Sequence, residues 1–262
     1  MRILALLAAA SFSFGLSPVP ASAGSGHVAA KLKLRFAGLP VGRFKYGVTL
    51  RDAAYTLSGR TETTGVAKVF AKTEATFSSQ GKVSGAAPTP RKHKMRYTSD
   101  GKRGSLDMGF QGGALARNKV LPKVKPRKDR VAVKPSHLAS VLDPISAVLL
   151  PAPVNATLAQ VCSRTLPVYD GQNRFDIVLA PKRTVNGSAK GYRGPVHVCA
   201  ARYRPVSGHR ASRDSVKRMA AERRIEIGFA PVGDSGTWSL FQFRFPTKYG
   251  PASGEAYSFK AS

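Results

Sequence analysis

The sequence predicts a mainly β protein, in which a strongly curved antiparallel sheet (an open or half β-barrel) has a few short helices packed against it. Apolar and polar residues alternate with period two in both halves of the chain, which is typical of strands with one buried and one solvated face. The clearest alternation lies in residues 31–36, 44–51, 106–110, 224–229 and 240–245. A nearly uncharged stretch between the halves favours helix, and one sheet wrapped around it would give both halves a common core.

The first 23 residues have the composition of a secretory signal peptide. Arg2 gives a positive start, residues 3–16 are apolar and uncharged, and Ala23 ends a small-x-small cleavage motif. We expect cleavage between Ala23 and Gly24, which leaves residues 24–262 as a single β-rich domain outside the cytoplasm. No later stretch approaches the roughly 20 apolar residues of a membrane helix, so we expect no transmembrane segment in the mature chain.

Further strands are predicted in the first half at residues 55–64, 66–77 and 95–97, with a hairpin turn at Asp100–Gly101. Residues 118–134 contain seven Lys or Arg and two Pro. Because proline interrupts a central strand and like charges repel, this segment is predicted to be an extended, exposed basic connector.

Residues 136–150 form the helical patch. Asp143 is placed to cap a helix whose first position is Pro144, and apolar residues follow at helical spacing. Since Asp143 is the one charged residue of the patch, we expect these residues to plug the interior of the sheet.

The second half of the chain returns to strands. Residues 174–179 and 195–203 are predicted to pair as a hairpin around Asn186–Gly187. Residues 212–224 are predicted to form a basic helix, and residues 256–260 the closing strand.

The chain contains two cysteines, Cys162 and Cys199. Outside the cytoplasm an isolated pair favours a disulfide, and two free buried thiols are the alternative. A second alternative makes one cysteine a nucleophile with His197 or His209 as its base. A strand would place His197 and Cys199 on one face, and we interpret them as a disulfide beside an ordinary strand histidine.

Motifs of common active sites are missing, since the sequence has no G-x-S-x-G elbow, H-E-x-x-H motif or P-loop. Its five histidines lack ligand spacing, so we expect no metal, no cofactor and no catalytic residue. Asp170 and Asp176 could form the carboxylate pair of a glycosidase, although Asp170–Gly171 is more simply a turn. Residues 203–210 mix aromatic and basic side chains as single-stranded nucleic-acid sites do, but a strand end followed by a basic turn explains them. We therefore expect no nucleic-acid partner.

The charge of the chain is strongly positive. There are 42 Lys and Arg against 14 Asp and Glu, a formal charge of +28, of which +27 remains without the signal peptide. Such a field concentrates anions near the surface and is screened by salt. The expected partners are anionic lipid, lipopolysaccharide, peptidoglycan or an acidic envelope protein, and a solvated surface without a specific partner is the alternative. The candidate anion contacts are Lys123, Lys125, Arg127, Lys128, Arg130, Arg213, Lys217 and Arg218.

Four segments of the chain carry a family resemblance. They are LSGRTETTG at 57–65, HLASVLDPISAVLLP at 137–151, CSRTLPVYDGQNRFDIVLAPKR at 162–183 and GYRGPVHVCAARYRPVSGHR at 191–210. Together with the exported N-terminus, they resemble a family of exported proteins of Gram-negative bacteria known as a domain of unknown function, DUF3108. The resemblance implies a periplasmic location and, by analogy with lipoprotein carriers, an open β-barrel-like sheet. It offers no catalytic residue.

These features predict a non-enzymatic periplasmic protein of the cell envelope that binds a lipid or another anionic or amphipathic envelope component. Two other classes stay open. A protein-interaction module would have an empty cleft and one dominant acidic envelope partner. A cell-wall hydrolase would have a polar cleft lined by carboxylates.

Overall fold

The structure is a computed structural model that describes residues 24–65, 67–70 and 72–262, and it contains one antiparallel sheet of 14 strands. Of the predicted signal peptide and its cleavage site, only Gly24 lies within the described residues. The first seven strands are β1 Gly26–Phe36, β2 Leu39–Arg51, β3 Ala54–Thr63, β4 Thr73–Ser84, β5 Ala87–Ser99, β6 Lys102–Gln111 and β7 Ala114–Leu121. The others are β8 Leu149–Pro151, β9 Arg164–Tyr169, β10 Arg174–Ala189, β11 Tyr192–Ser207, β12 Ile225–Pro231, β13 Thr237–Thr247 and β14 Gly250–Ala261.

Three short α-helices accompany the sheet: α1 Ala67–Phe70, α2 Leu158–Cys162 and α3 Asp214–Ala221. Two 3-10 turns lie at Pro135–Leu138 and Ser146–Val148. No helix in the described part of the chain is both long enough and apolar enough to cross a membrane.

The strand order is β7-β6-β5-β4-β3-β2-β1-β14-β13-β12-β11-β10-β9, with β8 paired to β13. The first and last strands therefore pair in the middle of the sheet, and β7 and β9 form its two edges. The predicted fold class, a curved open antiparallel sheet with a few short helices, is confirmed.

The chain between the two edges brings them together. The Val141 N–H donates to the Gly113 carbonyl next to β7 (3.2 Å), and the Leu142 N–H donates to the Pro167 carbonyl of β9 (2.7 Å). From β7 itself, the Asn118 amide donates to the Gly171 carbonyl just after β9 (2.9 Å). Unpaired strand edges leave donors and acceptors open to other chains. Leu142 uses two such groups of β9, because it donates to the Pro167 carbonyl and accepts from the Tyr169 N–H (2.8 Å).

The structure corrects the prediction of helix at residues 136–150. This stretch contains the two 3-10 turns and then strand β8, which pairs with β13 from Leu149 to Pro151. Asp143 accepts hydrogen bonds from the Ile145 and Ser146 N–H groups (3.0 and 2.9 Å), as a helix cap would, but the ladder with β13 ends the turn after Val148. The expectation that this stretch fills the sheet is right, because Leu149 and Leu150 are fully buried. We call residues 139–162 the plug.

Three further boundaries differ from the predictions. Residues 67–70 are helical, so the strand expected at 66–77 begins only at Thr73. The β10–β11 turn lies at Lys190–Gly191, because Asn186–Gly187 belongs to the ladder, where glycine leaves room for Val196. The basic connector starts after β7, at residue 122.

Other predictions are confirmed. Asp100 and Gly101 have φ of 49° and 78°, the left-handed conformation of a two-residue hairpin turn. The basic helix is present as α3. A Cys162–Cys199 disulfide joins α2 to β11, with a Cα–Cα distance of 5.4 Å. Because both sulfurs are in the bond, neither cysteine is a free thiol or a nucleophile.

The two ends of the sheet differ in burial. We call the end with the β1–β2, β5–β6 and β13–β14 turns, α1 and α3 the mouth, and the opposite end, which holds the plug, the closed end. One cross-strand row near the closed end is almost fully buried: Val28, Val48, Leu57, Ser79, His93 and Met108.

Candidate functional site

Apolar side chains on neighbouring strands line the mouth and stay half-buried. The ladder places Leu34 of β1 opposite Gly254, Gly254 opposite Phe243, and Phe243 opposite Ile227 of β12. Gly254 is required here, since a Cβ at this position would lie 2.4 Å from the Phe243 ring. Leu34, Phe243 and Ile227 are all half-buried, so an apolar interior reaches solvent at this end.

A pocket of 150 Å³ lies beneath α3 at the mouth. Its lining residues are apolar or aromatic: Phe175, Ile177, Ala201, Tyr203, Met219, Ile225, Ile227 and Phe245. The Phe175 and Tyr203 rings pack with their centroids 5.1 Å apart, and α3 contributes Met219. This pocket can hold part of an apolar chain but offers little to a polar ligand.

A second, basic cleft of 730 Å³ separates α3 from the β13–β14 turn. It is lined by Ser215, Arg218, Met219, Ala221, Glu222, Arg223, Arg224, Pro246, Thr247, Lys248 and Tyr249. Four cations thus face one carboxylate. Because Met219 lines both this cleft and the apolar pocket, the two spaces adjoin, and we call them together the α3 cleft.

Not all of the positive charge in the α3 cleft is neutralised. Glu222 accepts hydrogen bonds from Arg224 at 3.0 Å on each carboxylate oxygen, and this arginine lowers the pKa of Glu222 to about 2. Across the described residues, Arg218 and Lys248 make no ion pair with a carboxylate. The Arg223 side chain also lacks such a pair within the described chain and donates to the Ala220 carbonyl (2.9 Å). Arg218, Arg223 and Lys248 are therefore the cations of the cleft that an anionic ligand can meet.

A third space, which we call the β1–β4 groove, opens at the mouth between the β1–β2 turn and α1. It has a volume of 610 Å³ and is mostly apolar. Its lining residues are Leu34, Phe36, Ala37, Leu39, Val41, Gly42, Thr61, Glu62, Thr63, Ala67 and Thr73. The groove and the α3 cleft lie on neighbouring turns, because the Ala37 N–H donates to the Pro251 carbonyl of β14 (2.8 Å).

Most of the predicted anion contacts lie elsewhere. Arg218 lines the α3 cleft, whereas Arg213 and Lys217 of the same region are exposed and do not line it. The connector residues Lys123, Lys125, Arg127 and Lys128 are exposed and line none of these spaces. Arg130 is half-buried and donates to the Gly208 carbonyl.

The structure does join the two predicted basic clusters. The Val131 N–H donates to the His209 carbonyl (2.9 Å), so the end of the connector runs beside the chain that leads into α3. Asp129 sits at this junction and pairs with Arg210 at 3.0 Å. The junction is thus a structural contact, in which Asp129 neutralises the charge of Arg210.

The sequence interpretation placed Arg223 and Arg224 in the predicted basic helix but did not count them, or Lys248 and Tyr249, among the candidate anion contacts. The first two lie at the end of the predicted helix, and the other two lie in the turn between two strands. No local pattern marks them, because the cleft forms only when the β13–β14 turn approaches α3.

A buried polar cluster fastens the plug to the sheet. Asp143 accepts hydrogen bonds from Ser79 (2.7 Å) and Ser146, and the His93 Nδ1 lies 3.1 Å from it. The Tyr55 hydroxyl contacts Ser146 at 2.5 Å. Burial alone would raise the pKa of Asp143, but the hydrogen bond and charge of His93, with the bonds from Ser146, hold it below its usual value.

This cluster has the geometry of an anchor. Ser79 contacts the same His93 nitrogen that faces Asp143 (2.8 Å), so the serine does not lie on the far side of the imidazole as it would in a proton relay. All three side chains are buried near the closed end. The capping role predicted for Asp143 is present, but its contacts with Ser79 and His93 were not expected.

The other candidate catalytic groups have structural partners. Asp170 accepts hydrogen bonds from the Gln172 N–H (2.9 Å) and the Asn173 side chain, as its predicted turn requires. Asp176 pairs with Arg174 (2.7 Å) and with Arg204 (3.3 Å).

His197 lies against the Trp238 ring with a centroid distance of 4.5 Å and bonds Thr184. Its neighbour Cys199 is held in the disulfide. His209 lies where its carbonyl accepts the bond from the connector. The ring contacts place His197 in the packing of the fold, whereas His209 contributes its backbone carbonyl.

The fold and the mouth define an open β-barrel-like protein with an amphipathic cleft at one end. The profile of the family described as "Protein of unknown function (DUF3108)" matches residues 31–256. The chain therefore belongs to the DUF3108 family.

Similarity to a solved structure is distant. The crystal structure of a beta-barrel-like protein of domain of unknown function DUF1849 from Brucella abortus has 12% sequence identity and a TM-score of 0.49. The alignment covers 92% of this chain and 100% of that one. A search of curated proteins found no match.

Proposed function

We propose that this protein is a non-enzymatic periplasmic protein that binds an anionic amphipathic molecule of the cell envelope at its mouth. One observation carries the proposal: Met219 lines both a pocket of apolar and aromatic side chains and a cleft with four cations against one carboxylate. An amphipathic ligand needs these two environments side by side. The signal-peptide pattern of residues 1–23 supports the compartment.

The apolar part of the ligand would lie on the half-buried residues of the mouth. Burying a methylene group gains about 0.8 kcal/mol, so a short acyl segment suffices for measurable binding. The β1–β4 groove (610 Å³) and the basic cleft (730 Å³) both fall in the roughly 300–1,000 Å³ range of ligand pockets.

The anionic head would lie between Arg218 and Lys248. An arginine can donate two parallel hydrogen bonds to a carboxylate or phosphate, and such charge-assisted bonds are about twice as strong as neutral ones. Fatty-acid carboxylates, phospholipids and the lipid part of lipopolysaccharide share this chemistry. Peptidoglycan lacks the acyl chain and would use the basic cleft alone.

The test uses the mature protein, residues 24–262, and a dansyl-labelled fatty acid with its methyl ester as the uncharged control ligand. We expect the acid to bind more tightly than the ester. Arg218→Glu is expected to weaken binding of the acid about tenfold and to leave the ester unchanged. Lys217→Glu, the same charge change one residue away on α3 but outside the cleft, is the matched control.

Two results would count against the proposal. An equal loss in the Arg218 and Lys217 variants would mean that only the overall field attracts the acid. A wild-type protein that binds neither ligand would reject the amphipathic site and favour an acidic protein partner.

A further inference from the structure

We infer that the rim of the mouth is a docking surface for an anionic lipid bilayer. Three large apolar side chains project from three separate segments of this rim: Leu39 at the start of β2, Val69 on α1 and Tyr249 in the β13–β14 turn. They are 60%, 84% and 73% exposed. Exposed side chains of this size are common singly, but three around one opening indicate a surface that meets an apolar phase.

The three tips surround the β1–β4 groove. Leu39 lines the groove itself, and Ala67 brings α1 to its wall, two residues before Val69. The β13–β14 turn is held beside the β1–β2 turn by the bond from Ala37 to Pro251. A flat apolar surface that touched this rim would therefore meet the groove entrance as well.

Positive charge lies next to each tip. Arg35 donates to the Gly38 carbonyl beside Leu39 (3.1 Å), Lys68 precedes Val69, and Lys248 places its Nζ 5.3 Å from the Tyr249 ring centroid. Long basic side chains keep their charge at the headgroups while their neighbours enter the apolar layer, and tyrosine favours the same interface.

Two of the nearby carboxylates, Glu62 and Asp100, are engaged, whereas Glu74 on β4 is exposed and makes no ion pair among the described residues. Glu62 pairs with Arg60 at 2.8 Å and lies 3.9 Å from Lys45, and Asp100 accepts a hydrogen bond from the Lys72 N–H. The rim therefore presents apolar tips and surplus cations together. This combination fits an anionic bilayer, where basic residues and inserted apolar groups act at the same time.

A role in loading ligand from the membrane rests on the proposed function. The docking surface shares Lys248 and Tyr249 with the α3 cleft and Leu39 with the β1–β4 groove, whereas Lys68, Val69 and Lys72 line neither space. A bilayer against the rim would face the half-buried interior of the mouth, so an acyl chain could enter without crossing water.

The experiment is flotation of the mature protein with phosphatidylcholine vesicles that contain or lack phosphatidylglycerol. We expect wild-type protein to float with the anionic vesicles and to be released by salt. The triple variant Leu39→Ser, Val69→Ser, Tyr249→Ser is expected to bind at least about tenfold more weakly. Tyr257→Ser removes a side chain that is 42% exposed but lies in β14, away from the rim tips, and is the matched control.

Reversing Lys68, Lys72 and Lys248 to glutamate should weaken vesicle binding by about fivefold for each residue. Wild-type protein that does not float with anionic vesicles would overturn the inference. So would a rim triple variant that binds as well as the Tyr257 variant, because attraction would then be electrostatic without insertion.

Binding of the dansyl-labelled fatty acid, measured without vesicles, separates this inference from the proposed function. The separating variant is Lys68→Glu with Val69→Ser, because neither residue lines the α3 cleft or the β1–β4 groove. A double variant that binds the fatty acid normally but floats more weakly would support the docking surface specifically. Protein that floats but does not bind the fatty acid would retain the docking surface and reject the cleft.

Discussion

The closed end and the mouth are built from the same strands and the same kinds of residue, but they differ in what covers them. On β13, Phe241 is buried near the closed end, whereas Phe245 is half-buried at the mouth. On β1, Val28 is buried and Leu34 is half-buried in the same way. The plug fills one end and leaves the other open, so the position of the plug, more than the pattern of the strands, decides where a ligand can enter.

The polar groups of the two ends differ as well. Near the closed end Asp143 is buried and has a hydrogen-bond donor on several sides. At the mouth Arg218 and Lys248 remain without a carboxylate partner among the described residues. Buried polar groups need hydrogen-bond partners within the fold, whereas exposed ones can bond to water or to a ligand. The closed end thus contributes stability, and the mouth is the end at which we propose binding.

Of the changes that test this difference between the two ends, Asp143→Ala is expected to have the largest effect on stability. The change leaves Ser79, His93 and Ser146 with unsatisfied polar atoms in a buried site, which should lower the free energy of unfolding by about 3–5 kcal/mol. Urea unfolding measures this loss. Asp234→Ala, an exposed carboxylate in the β12–β13 turn, should change it by less than about 0.5 kcal/mol.

Fatty-acid binding per folded molecule should be the same in the Asp143 variant as in wild type. A large loss of affinity in folded protein would show that the anchor also shapes the mouth, and the separation of the two ends would be wrong.

A second effect compares two phenylalanines on one strand. Phe241→Ala removes a buried ring and should cost about 3 kcal/mol or more, because it leaves a cavity in the core. Phe245→Ala should cost about 1 kcal/mol, since part of that ring already contacts water, and it should weaken binding of both the fatty acid and its ester. Equal losses of stability would mean that the mouth is packed as tightly as the closed end.

The smallest expected effect is the change in stability with pH. The pKa of Asp143 is lower in the folded protein than its ordinary value near 4, so its stabilisation is present above that value and is lost as the pH falls through the folded pKa. Unfolding midpoints in urea should therefore fall with acid in wild type and fall less in Asp143→Asn. Glu222, with a pKa of about 2, stays ionised between about pH 7 and pH 4, so affinity for a sulfonate analogue of the probe should not change over that range.

Local sequence patterns predicted a large part of the fold. The alternation at residues 31–36 defined β1, and Asp100–Gly101 defined a hairpin turn, because strand faces and two-residue turns depend on neighbouring residues alone. The pairing of Cys162 with Cys199 was unambiguous, since the chain has no third cysteine that could form a different disulfide. The net charge also follows directly from composition.

Other features depended on residues that lie far apart in the chain. Asn186–Gly187 looks like a turn but belongs to the β10–β11 ladder, since the pairing of the two full strands places the turn at Gly191. The plug looks like a helix, but part of it pairs with β13 as strand β8.

By itself the sequence determined the strands, several of their turns, the basic character and the disulfide. Only the tertiary structure decided which end of the sheet stays open and which cations line the α3 cleft. The physical reason is the distance along the chain between the groups that meet. Ser79 reaches Asp143 across 64 residues and Tyr46 reaches Ser239 across 193, and no local pattern encodes such contacts.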